Sequence, residues 1–150
     1  MRARLRTVES TVTLTVKRSG VLDRGVTTRV ELEGPASSAI DPEQWPASEA
    51  RAALLDAIGD VRMREIARLR QRRLTRLLAR GSTIVELSLD ELEALDGERV
   101  AGRRYELEAE LVEGEPDDLM ELADALRDIV GVGVPLGSKL RFALDAVLVR

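Results

Sequence analysis

The sequence contains no cysteine and no histidine, and it carries one Trp, one Tyr and one Phe in 150 residues. The missing cysteines exclude disulfides and thiol nucleophiles, and the missing histidines exclude imidazole bases. Together they exclude zinc sites of the usual kind, so any metal must be a hard cation held by carboxylates: Mg²⁺, Mn²⁺ or Ca²⁺. Three aromatics are too few for a platform on which single-stranded nucleic acid could stack. No apolar run approaches the roughly 18 residues of a membrane span. Residues 1–6, MRARLR, lead straight into alternating sequence with no signal-peptide core, which implies a soluble, cytoplasmic chain.

Charge is what the chain has in quantity. Lys and Arg number 23 and Asp and Glu 27, a net charge of only −4, so strong fields must come from local arrangement. The length fits one domain over residues 1–150, with one core.

Val12, Leu14 and Val16 alternate with Thr11, Thr13, Thr15 and Lys17, the pattern of a strand with one buried side. A turn at Val8-Glu9-Ser10-Thr11 precedes it. Ser19-Gly20 and Arg24-Gly25 bound a connection, after which Val26, Thr28, Val30 and Leu32 alternate with Thr27, Arg29, Glu31 and Glu33. Residues 34–38 and 41–46 read as loop from their Gly, Pro and Ser. Ser48 is placed to cap a helix that ends near Gly59, and Trp45 reads as a loop anchor. Residues 61–80 fit both periods; Gly81-Ser82 and the clean alternation after it favour a hairpin of 69–78 with 83–90. Tyr105, Leu107, Ala109 and Leu111 form the apolar face of a further strand, which makes Tyr105 a core residue. Pro116-Asp117-Asp118 opens a helix stopped at residues 131–135, and a last helix starts near Ser138, with Phe142 packing it on the sheet. The expectation is an α+β chain of about six mainly antiparallel strands and three helices.

Several strands pair an aliphatic face with one of fixed charge, and a solvated sheet surface is the commonest cause. Glu106, Glu108 and Glu110 in succession, however, repel one another unless cations lie opposite. If the charged faces turn inward, the interior holds arginines suited to phosphate oxygens and carboxylates suited to a divalent cation, the pair of functions a polyphosphate substrate requires.

The order of these segments resembles the CYTH family, the triphosphate tunnel metalloenzymes. The resemblance rests on Ala3-Arg4-Leu5-Arg6, Leu14-Thr15-Val16-Lys17, Arg29-Val30-Glu31 and Arg70-Gln71-Arg72-Arg73. It continues through residues 85–91 (VELSLDE) and 106–111 (ELEAEL) to Ser138-Lys139. It implies an antiparallel β-barrel or tunnel with a charged bore, about six of its eight strands present, and three outer helices. It implies a triphosphatase that cleaves the terminal phosphoanhydride of tripolyphosphate, or of a nucleoside or thiamine triphosphate, with Mg²⁺ or Mn²⁺. Carried over, Arg4, Arg6, Lys17, Arg29, Arg70, Arg72 and Lys139 bind phosphate. Glu31 and Asp90 are the catalytic carboxylates, and Glu106, Glu108 and Asp90 hold metal. On this reading, alanine at Arg70 or Arg72 weakens triphosphate binding, and alanine at Glu106 or Glu108 harms metal dependence. Arg73 and Arg76 stay undecided, because a one-residue slip exchanges which arginines face the bore.

The family's Glu-x-Glu-x-Lys strand is missing, and the chain reads as a CYTH domain that begins late. Three explanations stand: a fragment of an ordinary triphosphatase, which is preferred; a natural member that binds polyphosphate or nucleotide but is impaired in turnover; or a homodimer completed through open sheet edges. A nucleic-acid binder using residues 62–80 as one basic helix is a distinct alternative, disfavoured by net charge and aromatic content.

Overall fold

The computed structural model describes residues 1–18, 20–23, 26–130 and 137–148. Ser19 of the first expected connection, the turn at Arg24-Gly25 and the helix stop at residues 131–135 lie outside the described residues. The chain divides into two compact units, residues 1–23 with 27–65, and residues 24–26 with 66–150.

In the first unit, β1 (Arg2–Val8) and β2 (Thr11–Lys17) form an antiparallel hairpin whose turn places Glu9 at φ 53°. Two three-residue strands follow, β3 (Val21–Asp23) and β4 (Val26–Thr28), paired with each other. The strand β5 (Glu31–Ala36) then returns antiparallel to β2, giving the order β1-β2-β5. The expected single strand over 26–33 is thus broken before Glu31, and β5 runs on through Gly34-Pro35, read above as loop. An edge position explains this, since among the described residues β5 pairs only with β2 and a proline there costs no ladder bond on the outer side.

A short 3₁₀ turn (Pro42–Gln44) capped by Asp41 leads to α1 (Glu49–Ile58). The Ser48 hydroxyl accepts from the Arg51 amide at 3.1 Å, as the sequence predicts, and Gly59 ends the helix at φ 53°. Leu14 and Val16 from β2, Ala50 and Leu54 from α1, and Trp45 form the core of this unit. The Trp45 indole N–H donates to the Ala39 carbonyl at 2.8 Å, so the loop anchor satisfies its one polar group.

The second unit is a meander of β6 (Arg68–Arg80), β7 (Thr83–Asp96) and β8 (Arg99–Glu113), followed by α2 (Pro116–Val130) and α3 (Lys139–Leu148). Two-residue turns join the strands, with Gly81 and Gly97 both at φ 60°, a conformation glycine adopts without steric cost. All three strands are longer than expected, and β7 continues through Glu91 and Glu93, where Glu93 bridges Arg70 and Arg103. Because β6 is a strand, the continuous basic helix required by a nucleic-acid reading does not form. The α3 helix packs on β7 and β8, its Ala146 and Phe142 over Gly102. The α+β class with antiparallel strands is therefore present. Among the described residues the pairing gives two open three-stranded sheets and a short ribbon.

Candidate functional site

In an antiparallel ladder, directly opposed residues share a face, so register decides which charges meet. In the first unit Arg4 opposes Thr15, Arg6 opposes Thr13, and Lys17 opposes Glu31. Arg4, Arg6, Lys17 and Glu31 thus share the face opposite to the one carrying Leu14 and Val16. The Lys17 ammonium donates to Glu31 at 2.8 Å and Arg29 Nε donates to the same oxygen at 2.6 Å. Burial alone would raise the Glu31 pKa; the bonds from Lys17 and Arg29 outweigh it and hold the carboxyl below its ordinary value. Glu33, not singled out from sequence, lies on the same face and accepts from Thr15 at 2.8 Å.

In the second unit Arg73 opposes Asp90, which opposes Glu106, and Ser88 opposes Glu108. Asp90 is fully buried and accepts both arms of the Arg73 guanidinium, each at 2.7 Å. The same Arg73 donates to Glu108 at 2.5 Å. From the first turn of α3, Lys139 Nζ reaches Asp90 at 2.5 Å, Glu108 at 3.0 Å and Glu106 at 3.7 Å. Arg104 pairs with Glu106 and stacks over the Phe142 ring, its guanidinium carbon 4.6 Å from the centroid. Three carboxylates therefore meet three cations.

Burial would push the Asp90 pKa up, yet Arg73 and Lys139 hold it far below the usual carboxylate range. Arg73 is raised in turn, first by its bond to Asp90. Glu106 moves the other way: burial lifts its pKa, the Glu108 and Asp90 charges add to that, and Arg104 and Lys139 only partly offset it. One oxygen each from Asp90, Glu106 and Glu108 lies within 4.8 Å of the others, a set of hard donors that suits Mg²⁺ or Mn²⁺.

The expected grouping is corrected at two positions. Arg70 and Arg72 oppose Glu93 and Glu91, on the face away from Asp90, Glu106 and Glu108. The expected facing had the parity of β6 reversed; the two-residue turn pairs Arg80 with Thr83, which carries Arg73 and not its neighbours to Asp90. Tyr105, expected in the core, also lies on that other face, is exposed, and donates its hydroxyl to Glu91 at 3.2 Å. Arg104 was passed over although its alternation with Glu106 and Glu108 puts it on their face; the signal was present in the spacing.

A cleft of about 420 Å³ lies between the β6–β7 turn and α2, walled by Leu78, Val85, Leu122 and Ala125, and shares no residue with the ion cluster. Among the described residues, no helix is long and apolar enough to cross a membrane. No family model, curated protein or solved structure matches the chain.

Proposed function

We propose that the protein binds a triphosphate compound together with Mg²⁺ or Mn²⁺ and hydrolyses its terminal phosphoanhydride. The observation that carries this reading is the ion cluster: Asp90, Glu106 and Glu108 converge within 4.8 Å, and Arg73 and Lys139 reach into the same point. The resemblance to the CYTH family points the same way and extends the reading to a tunnel whose bore is lined by the charged sheet faces.

Asp90, Glu106 and Glu108 would hold the cation, which when bound supplies charge neutralisation at the phosphate oxygens. Arg73 offers a planar fork that matches two phosphate oxygens, and Lys139 a point charge on a flexible stem. A water oxygen attacks the terminal phosphorus, the bond to the bridging oxygen breaks, and orthophosphate parts from the shortened chain. The proton lost by water needs a carboxylate whose oxygens are not all strongly bonded. Glu106, with Oε1 on Arg104 and Oε2 no nearer than 3.7 Å to Lys139, suits this better than Asp90, whose oxygens accept from Arg73 and Lys139. Asp90 then serves as the anchor that holds both cations in place.

The test is thermal unfolding with and without tripolyphosphate, each with and without Mg²⁺, because a ligand that binds only the folded form raises the midpoint. A rise with Mg²⁺ and tripolyphosphate is expected, reduced in Arg73→Ala and retained in Arg72→Ala. No rise in any combination overturns the reading. Orthophosphate release under the same conditions then separates turnover from binding alone.

A further inference from the structure

We infer that Lys139 is a placeholder cation, standing where a divalent ion would be held and yielding only when an anion arrives, so that metal and triphosphate load together and not independently. This deepens the proposed function and rests on it. Lys139 Nζ touches or approaches all three carboxylates, at 2.5, 3.0 and 3.7 Å. It sits at the first residue of α3, where the positive end of the helix dipole disfavours a cation, so the carboxylates and not the helix hold it there.

The three carboxylates are already engaged: Asp90, Glu106 and Glu108 are met by Arg73, Arg104 and Lys139, each through an ion pair, while Glu86 and Glu110 oppose each other farther along the same face. A divalent ion entering alone meets paired carboxylates and an ammonium on the same oxygens. At about 4 Å, repulsion between a double and a single positive charge weakens binding about thirtyfold even at the dielectric constant of water. A triphosphate removes the conflict, because its oxygens give Lys139 and Arg73 new partners and its negative charges offset those of the metal. Linkage makes the effect mutual: whatever the anion does for metal affinity, the metal does for anion affinity. A lysine that merely pinned α3 to the sheet would do neither.

Calorimetric titration of Mn²⁺ into the full chain, with no phosphate present, tests this on wild type, Lys139→Met and Lys139→Arg, with thermal melts to check folding. Tighter Mn²⁺ binding by tenfold or more in Lys139→Met, and wild-type behaviour in Lys139→Arg, are expected on the charge argument. A folded Lys139→Met that binds Mn²⁺ no more tightly than wild type overturns the placeholder role. If that variant does not fold, wild type decides: affinity for Mn²⁺ alone as high as for the preformed Mn²⁺–tripolyphosphate complex overturns it. No binding of that complex to any folded form overturns the triphosphate reading instead, while the Mn²⁺ comparison still reports on Lys139.

Discussion

Asp90 shows how much can depend on one side chain. It is fully buried, and its charge is tolerated only because Arg73 and Lys139 bind it. Asp90→Asn keeps the shape, removes the charge and leaves two cations without their main acceptor. It is expected to cost about 3 kcal/mol at pH 7, read by urea unfolding. The pH dependence has a definite sign. The folded pKa lies below the ordinary 3.8, so the contribution is complete above that value and declines as pH falls below it toward the folded pKa. The gap between wild type and Asp90→Asn should therefore narrow as the unfolding experiment is moved below about pH 4; a gap that widens there contradicts the pairing. Glu106 acts in the opposite sense, its raised pKa giving stability at low pH that is lost as pH rises through the folded value. At this scale the residue types of the site were legible in the sequence, but the arginine was not. The Arg72-Arg73 doublet puts one guanidinium on each face of β6, and alternation alone cannot say which faces Asp90.

At the scale of elements, the position of Lys139 depends on how closely α3 lies against the sheet. A Cβ on Gly102 would stand 3.0 Å from the Ala146 Cβ and 3.5 Å from the Phe142 ring, so only glycine permits this approach without displacement. Gly102→Val should shift α3, cost about 1–3 kcal/mol by overpacking, and reduce the midpoint rise from Mg²⁺ and tripolyphosphate. Full retention of that rise would mean that Lys139 finds the carboxylates without the seating of its helix. The capped start of α1, the hairpin signal at Gly81 and the period of the last helix were all readable from local chemistry. Strand length was not: β7 extends through Glu91 and Glu93 because opposed side chains hold those residues, Tyr105 on Glu91 and Arg70 and Arg103 on Glu93, a pairing that one segment read by itself does not contain.

For the whole molecule, the apolar surface left uncovered is the fact with most consequence. Leu74, Leu89 and Tyr105 lie together on the face of the β6–β7–β8 sheet away from Asp90, and are 56, 46 and 66% exposed. Among the described residues, the outer edges of β1, β5, β6 and β8 carry no strand partner within their sheets. Self-association that grows with concentration follows, measurable by sedimentation velocity, and Leu89→Lys should diminish it by placing a charge between Leu74 and Leu107. A sedimentation coefficient independent of concentration in wild type would contradict this. That the described sheets are open was the least legible feature in the sequence, because alternation specifies which side chains share a face and says nothing of how far a sheet curls.

The meander that carries the carboxylates is joined by turns of two residues, whereas Lys139 comes from well beyond its last strand. During synthesis the three strands leave the ribosome first and, being local in contact, can pair before α3 exists. Until that helix is made, Asp90 and Glu108 share Arg73 and Glu106 has Arg104, all within the meander, but none of the three has the lysine. The site is thus completed last, and a nascent chain paused after β8 would hold a formed sheet whose carboxylates still lack the cation supplied by α3.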